Sequence, residues 1–87
     1  MKKLFMSISV AACCMAGAAR AEFVCGLNPQ GDNFLSLREG PDSSFPEITR
    51  MGPGTALLVR SQNGAWLYVQ IVGDNLAGWA YSRYVCQ

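Results

Sequence analysis

The residues most able to do chemistry in this chain are Cys25 and Cys86, which have 60 residues between them. An even pair in a small exported chain favours a disulfide, which would stabilise the domain by roughly 4 kcal/mol in the chain-entropy treatment. The alternative is a reactive or metal-binding thiol pair. The chain has no histidine and no Cys-x-x-Cys spacing, so the disulfide is the better prediction.

Acid–base chemistry has three candidate side chains, Glu39, Asp42 and Glu47. They belong to a segment rich in glycine and proline, where carboxylates are normally solvated. The absence of histidine excludes Ser–His and Cys–His catalytic pairs. A domain of this size also has little room for the buried pocket that shifts a carboxylate pKa. We therefore predict a protein that is not an enzyme and needs no cofactor.

The polar stretch Asn28-Pro-Gln-Gly-Asp-Asn33 gathers oxygen ligands around a glycine, as calcium loops do. It lacks the regular carboxylate spacing and the distal bidentate glutamate of such loops. A surface turn is the better interpretation, and no metal site is predicted.

The N-terminal segment has the organisation of a signal peptide. Lys2 and Lys3 precede the apolar run from Leu4 to Gly17, and Ala19-Arg20-Ala21 has the small-x-small pattern of a cleavage site. We expect residues 1–21 to be removed, so that residues 22–87 form one domain that is periplasmic or secreted.

Two other fates of this segment are possible in principle. A membrane anchor is disfavoured because the apolar run has 14 residues, whereas a spanning helix needs about 20. Lipidation is the second, since Val10-Ala-Ala-Cys13 loosely matches a lipobox. The apolar stretch before Cys13 is very short and Cys14-Met15-Ala16 continues it, so cleavage after Ala21 is the preferred prediction and lipidation of Cys13 the alternative.

The charge of residues 22–87 argues against nucleic acid as a partner. Four arginines stand against six acidic residues, a formal charge of −2, and no lysine is present. Nucleic-acid binding requires a clustered basic face, which four scattered arginines do not supply.

Short apolar runs bounded by turn residues predict an all-β domain. Alternation places Leu67, Val69 and Ile71 in the core and turns the intervening Trp66, Tyr68 and Gln70 to the other face. Trp66 is expected to be partly exposed and Trp79 to be buried in the core. Five strands are predicted, at residues 23–25, 34–38, 55–61, 66–72 and 76–80.

The turns predict how these strands connect. Asn63-Gly64 favours a tight hairpin because both residue types tolerate a positive φ. Gly73-Asp74-Asn75 predicts a second hairpin, and Gly52-Pro53-Gly54 a tight turn before the strand at Thr55. One short helical turn is expected at residues 82–84. Five short strands with such spacing favour a closed or nearly closed barrel.

Several motifs of this chain resemble those of the bacterial Src homology 3 (SH3-like) domain family. They are Leu35-Ser-Leu-Arg-Glu-Gly-Pro41, Gly54-Thr55, Gly64-Ala-Trp66 and Gly78-Trp79-Ala80. The resemblance implies a small five-stranded SH3-like β-barrel, and the Cys-Gly-Leu opening at Cys25 is similar to that of a small exported, disulfide-containing subgroup.

The resemblance also implies a binding function. In the family fold, loop 38–46 and turn 62–65 flank a shallow groove. The expected partner is peptidoglycan or its peptide stems, or else an envelope protein. No stable membrane insertion of this chain is expected after cleavage. The alternative is a protein-interaction subunit or an inhibitor of an exported partner protein. The groove residues expected on this basis are Phe45, Trp66, Tyr68 and Tyr84, with Glu39, Asp42 and Arg83 at the rim.

Overall fold

A computed structural model describes residues 19–87, which form a single antiparallel sheet of seven strands. The predicted leader lies outside the described residues except for its last three positions, and Cys13 lies outside them entirely. Cleavage after Ala21 and lipidation therefore stay predictions. Within residues 19–87, no helix has the length and apolar character needed to cross a membrane.

The seven strands are β1 (Arg20–Val24), β2 (Leu35–Arg38), β3 (Glu47–Met51), β4 (Ala56–Asn63), β5 (Trp66–Ile71), β6 (Ala77–Tyr81) and β7 (Val85–Cys86). Their order in the sheet is β3-β2-β6-β5-β4-β1-β7. A 3₁₀ turn at Ser82–Tyr84 separates the last two strands, as predicted.

The predicted strand count of five is too low, because β3 and β7 were not foreseen. In β3 only Met51 is buried, so its sequence does not show the alternation of a half-buried strand. The strand β7 has two residues, too few for any periodic signal. Both strands exist because a neighbour pairs with them: β2 pairs with β3, and β1 pairs with β7.

The predicted hairpins are confirmed. Strands β4 and β5 pair antiparallel with Asn63 opposite Trp66, and Gly64 takes the positive φ of 61° that this tight turn requires. At the second hairpin, the Ile71 amide donates to the Leu76 carbonyl at 3.0 Å. The predicted turn at residues 52–54 is also present, since the Thr55 amide donates to the Gly52 carbonyl.

One core holds the sheet together. Val24 of β1 and Met51 of β3 belong to the same buried cluster although their strands are five places apart in the sheet. At about 4.8 Å per strand, a flat sheet would hold them more than 20 Å apart. The sheet therefore coils around its core. The buried apolar residues are Val24, Leu35, Leu37, Met51, Leu57, Val59, Leu67, Val69 and Ala80.

Alternation in β5 is as predicted except at Ile71, which is half-buried and packs against the core, and the position predicted for Trp79 is wrong. Leu67 and Val69 are buried, whereas Trp66 and Tyr68 are half-buried on the opposite face. In β6 the interior positions belong to Gly78 and Ala80, so Trp79 lies on the outer face. Strand alternation was expected to turn Trp79 inward, but the register of β6 turns Gly78 and Ala80 inward, where the interior has room only for small side chains.

The predicted disulfide between Cys25 and Cys86 is present, with 5.8 Å between the Cα atoms. Backbone hydrogen bonds place the two cysteines side by side. Phe23 pairs with Cys86 across β1 and β7, and the Cys25 amide donates to the Tyr84 carbonyl at 2.9 Å. The bond therefore joins the end of the first strand to the last one.

Candidate functional site

An open groove of about 640 Å³ runs along one side of the domain. The outward side of β2, together with the segment before it and the loop between β2 and β3, forms one wall. The ends of β5 and β6 and the 3₁₀ turn form the other. The lining residues are Gly26, Leu27, Asn28, Asp32, Phe34, Leu35, Ser36, Arg38, Asp42, Ser43, Trp66, Tyr81 and Tyr84.

Three aromatic rings form a continuous surface in this groove, which we call the aromatic wall: Trp66, Tyr81 and Tyr84. Trp66 and Tyr81 are directly paired across β5 and β6, with ring centroids 5.5 Å apart and tilted planes. Tyr81 and Tyr84 lie 6.1 Å apart. Such tilted contacts are favourable geometries for aromatic pairs. Each ring therefore supports its neighbour and leaves part of its surface open to a ligand.

The opposite wall comes from the outward positions of β2 and the residue before it. Because Leu35 and Leu37 point into the core, Phe34, Ser36 and Arg38 turn the other way and line the groove. The guanidinium of Arg50 lies 4.2 Å from the centroid of the Phe34 ring, within cation–π distance.

The loop between β2 and β3 is held by its own polar groups. Arg38 Nη1 donates to the Phe45 carbonyl at 3.0 Å, and the Glu39 amide donates to the Pro46 carbonyl. The Phe45 ring packs on Gly40, where any Cβ would overlap it. These contacts fix the shape of the rim beside the groove.

Asp42 organises the tip of this loop. Its carboxylate accepts hydrogen bonds from the Ser44 hydroxyl and from the Ser44 amide, the latter at 2.9 Å. These hydrogen bonds, the hydroxyl's first, lower the pKa of Asp42 below its ordinary value of 3.8. Asp42 is therefore a fixed negative charge at the groove near neutral pH.

A second charged cluster stands next to the groove on β2 and β3. The hydroxyl of Ser36 donates to Glu47, and Arg50 Nε lies 3.1 Å from the same carboxylate. The hydrogen bond from Ser36, followed by that from Arg50, lowers the pKa of Glu47. The Glu47 carboxylate is thus bound to Ser36 of β2 and to Arg50, and the guanidinium of Arg50 in turn covers the Phe34 ring.

Three of the seven residues expected in the groove line it: Trp66, Tyr84 and Asp42. The other four lie elsewhere. Tyr68 stacks with Trp79 at 5.3 Å on the outer face, and Arg83 lies over the Tyr84 ring at 6.0 Å, beside the groove. Glu39 and Phe45 belong to the rim loop, where the Phe45 ring packs against the backbone of Gly40.

Sequence reasoning missed Phe34, Tyr81, Asp32 and Arg38 among the lining residues. For Phe34 and Arg38 the signal was available, since the alternation that buries Leu35 and Leu37 sends both to the opposite face. Asp32 gave no such signal because it lies in a segment without regular structure.

The groove offers ligands a surface for stacking and for ion pairing. Its aromatic wall can pack on sugar rings or apolar side chains, and its tyrosine hydroxyls can bind polar groups. Asp32, Asp42 and Arg38 supply both signs of charge. Among residues 19–87, no three Cys, Asp or Glu side chains gather as metal ligands.

Comparison with known proteins identifies the fold family. Residues 33–85, which include β2 to β6 and most of the groove, match the family model of the bacterial SH3 domain. No curated protein and no solved structure matches the chain. Domains of this family are binding modules, often for the cell wall, and are generally non-catalytic. The all-β architecture and the extent of the match show that this chain belongs to the bacterial SH3 domain family.

Proposed function

We propose that this protein is an exported, non-catalytic module that binds peptidoglycan through its peptide stems. The observation that carries the proposal is the aromatic wall of Trp66, Tyr81 and Tyr84 along an open groove that also holds charges of both signs. A short peptide bearing amines and carboxylates suits such a groove. Its side chains can stack on the rings while its charges pair with Asp42 and Arg38.

The same geometry favours binding over chemistry. The groove is open along its length, and the carboxylate of Asp42 has a lowered pKa. A general acid working near neutral pH needs the opposite shift. The family is likewise one of binding domains.

The disulfide supports export. A Cys25–Cys86 bond persists in an oxidising compartment such as the periplasm or the extracellular medium, and reducing agents would open it in the cytoplasm. The charged and apolar organisation of the leader is in keeping with the same destination.

Co-sedimentation of the exported, oxidised protein with purified sacculi tests the proposal. Wild type is expected to pellet with the sacculi, and Trp66→Ala to lose about tenfold in affinity, the equivalent of roughly 1.4 kcal/mol for one aromatic contact. Tyr68→Ala is the matched control, because Tyr68 is an equally half-buried aromatic two residues along β5 and does not line the groove. It should pellet like wild type.

Either of two results would contradict the proposal. Folded wild type that stays in the supernatant would leave a protein partner, or an inhibitory role toward one, as the leading function. Equal losses for Trp66→Ala and Tyr68→Ala would show that binding does not depend on the groove. Circular dichroism of both variants confirms that each is folded.

A further inference from the structure

Two features of β1 have no role in the groove: its first two residues and the buried carboxylate that follows them. Arg20 is paired with Val59 and Ala21 with Leu58, so both residues are part of the sheet. Glu22 comes next, and it is only 7% exposed, the one buried charged residue among residues 19–87. The strand therefore starts before the position at which cleavage was expected from the sequence.

The carboxylate of Glu22 depends on Arg20. A buried carboxylate is costly unless a cation or hydrogen-bond donors accompany it. Arg20 Nε lies 3.3 Å from Glu22 Oε2, and no donor in residues 19–87 makes a hydrogen bond to that oxygen. The Glu22 side chain is 4% exposed and that of Arg20 57%, so the guanidinium covers the carboxylate from the solvent side.

Cleavage after Ala21 would remove this cation and two of the four residue pairs that join β1 to β4. The sequence holds a second small-x-small tripeptide three residues earlier, Ala16-Gly17-Ala18, which meets the same requirement of a leader peptidase. A cut there would leave Arg20, Ala21 and the whole of β1 in the exported domain.

We propose that the leader is removed between Ala18 and Ala19, so that the exported protein begins at Ala19. The peptidase hydrolyses this bond with one water molecule. The hydroxyl goes to the carbonyl carbon of Ala18, and the hydrogen goes to the nitrogen that becomes the amino group of Ala19. The inference rests on the export that is part of the proposed function, but not on the identity of the ligand.

The N-terminus of the exported protein tests the site directly. The full chain is expressed in a bacterium with an intact export system, and the exported product is sequenced by mass spectrometry. Wild type is compared with Ala18→Leu and Ala21→Leu, because a large residue just before the scissile bond blocks the peptidase. Ala21 is exposed in β1, so leucine should fit there without disturbing the fold.

The expected products of wild type and Ala21→Leu both begin at Ala19, and Ala18→Leu loses that product. A wild-type product beginning at Glu22, with Ala21→Leu blocked, would overturn the inference. A wild-type chain that keeps Met1 and stays in the cytoplasm would overturn export as well, whereas failure to bind sacculi leaves the N-terminus unaffected.

Thermal unfolding of the exported protein tests the reason for the site. Arg20→Gln should lower the midpoint temperature by roughly 5 °C or more, because it leaves the Glu22 carboxylate buried without a cation. Arg60→Gln is the matched control: Arg60 is an exposed arginine of β4 whose guanidinium bonds to Gln70. Equal midpoints for Arg20→Gln and wild type would refute the dependence of β1 on Arg20.

Discussion

Asp42 shows how single polar groups shape the rim of the groove. The Ser44 hydroxyl and amide both donate to its carboxylate, and the Phe45 amide donates to its backbone carbonyl. Through these three hydrogen bonds, one residue holds two successive positions, Ser44 and Phe45, of a loop that has no strand pairing at its tip. Because the side chain is exposed, its role is in local geometry more than in global stability.

The pH dependence of this loop follows from the direction of the Asp42 pKa shift. A carboxylate whose folded pKa lies below 3.8 contributes to loop order fully above that value, and the contribution is lost as the pH falls through the folded pKa. We expect an NMR titration of the Asp42 carboxyl to show its inflection below 3.8. The Ser44 amide resonance should shift in the same step.

Ser44→Ala provides the test of the cause. It removes the hydroxyl that contributes most to the shift but keeps the amide, so the Asp42 pKa should move up toward 3.8. An inflection at or above 3.8 in wild type, or one that Ser44→Ala leaves in place, would contradict this account.

At the scale of the elements, β2 and β6 approach each other closely at Gly78. A Cβ built there would lie 2.6 Å from the Arg38 carbonyl oxygen and 2.9 Å from Ile48 Cδ1. These two strands are joined by only one residue pair, Arg38 with Trp79. Glycine at this position therefore allows the sheet to coil tightly enough to close around its core.

Gly78→Ala should destabilise the domain by about 2 kcal/mol, because the atom nearest to the added methyl group is a backbone carbonyl oxygen, which cannot move aside as the end of a side chain can. In thermal unfolding we expect a midpoint lower by about 10 °C. Gly52→Ala is the control, since nothing lies within 4 Å of a Cβ there and its φ is not positive. Equal midpoints for the two variants would show that the close approach is unimportant.

The hairpins could be predicted from the sequence because they depend on local chemistry. Asn63-Gly64 specifies its own turn, and the alternation of Leu67 and Val69 with Trp66 and Tyr68 specifies the faces of β5. The strand β3 and the interior position of Gly78 depend on neighbouring strands, which a local pattern does not contain. Tertiary packing determined both.

The groove was predictable to the extent that strand faces were. Trp66 and Tyr84 were expected there and line it. Phe34 was missed, although the alternation of β2 extended back by one residue turns it toward the groove. Tyr68 shares its strand and its face with Trp66 but lies two residues further from the groove. The loops determine which aromatic residues of a strand face lie in the groove. The path of a loop leaves no periodic pattern in its sequence.

At the scale of the whole molecule, the disulfide closes almost the entire domain. The double variant Cys25→Ser/Cys86→Ser should lose roughly 4 kcal/mol of unfolding free energy, because its unfolded chain regains the freedom of a loop of some 60 residues. Denaturant titration of this variant measures the loss. Wild type treated with dithiothreitol is the matched comparison and should unfold at the same denaturant concentration as the variant.

The outcome that would contradict this expectation is an unchanged midpoint in the reduced wild type. In that case the core of buried apolar residues would be sufficient on its own. The size of the domain argues otherwise, since small single cores supply only a few kcal/mol of net stability.

The closeness of Cys25 and Cys86 has a mechanical consequence. When the domain is pulled by its two ends, tension can peel β1 from β4, but it then passes from Cys25 to Cys86 across 5.8 Å and through a covalent bond. The 60 residues between them, which hold the groove and most of the core, carry no load. This segment, which would be about 200 Å long if fully extended, therefore stays folded when the two ends are pulled. A pull on both ends of the oxidised domain would therefore leave the groove intact.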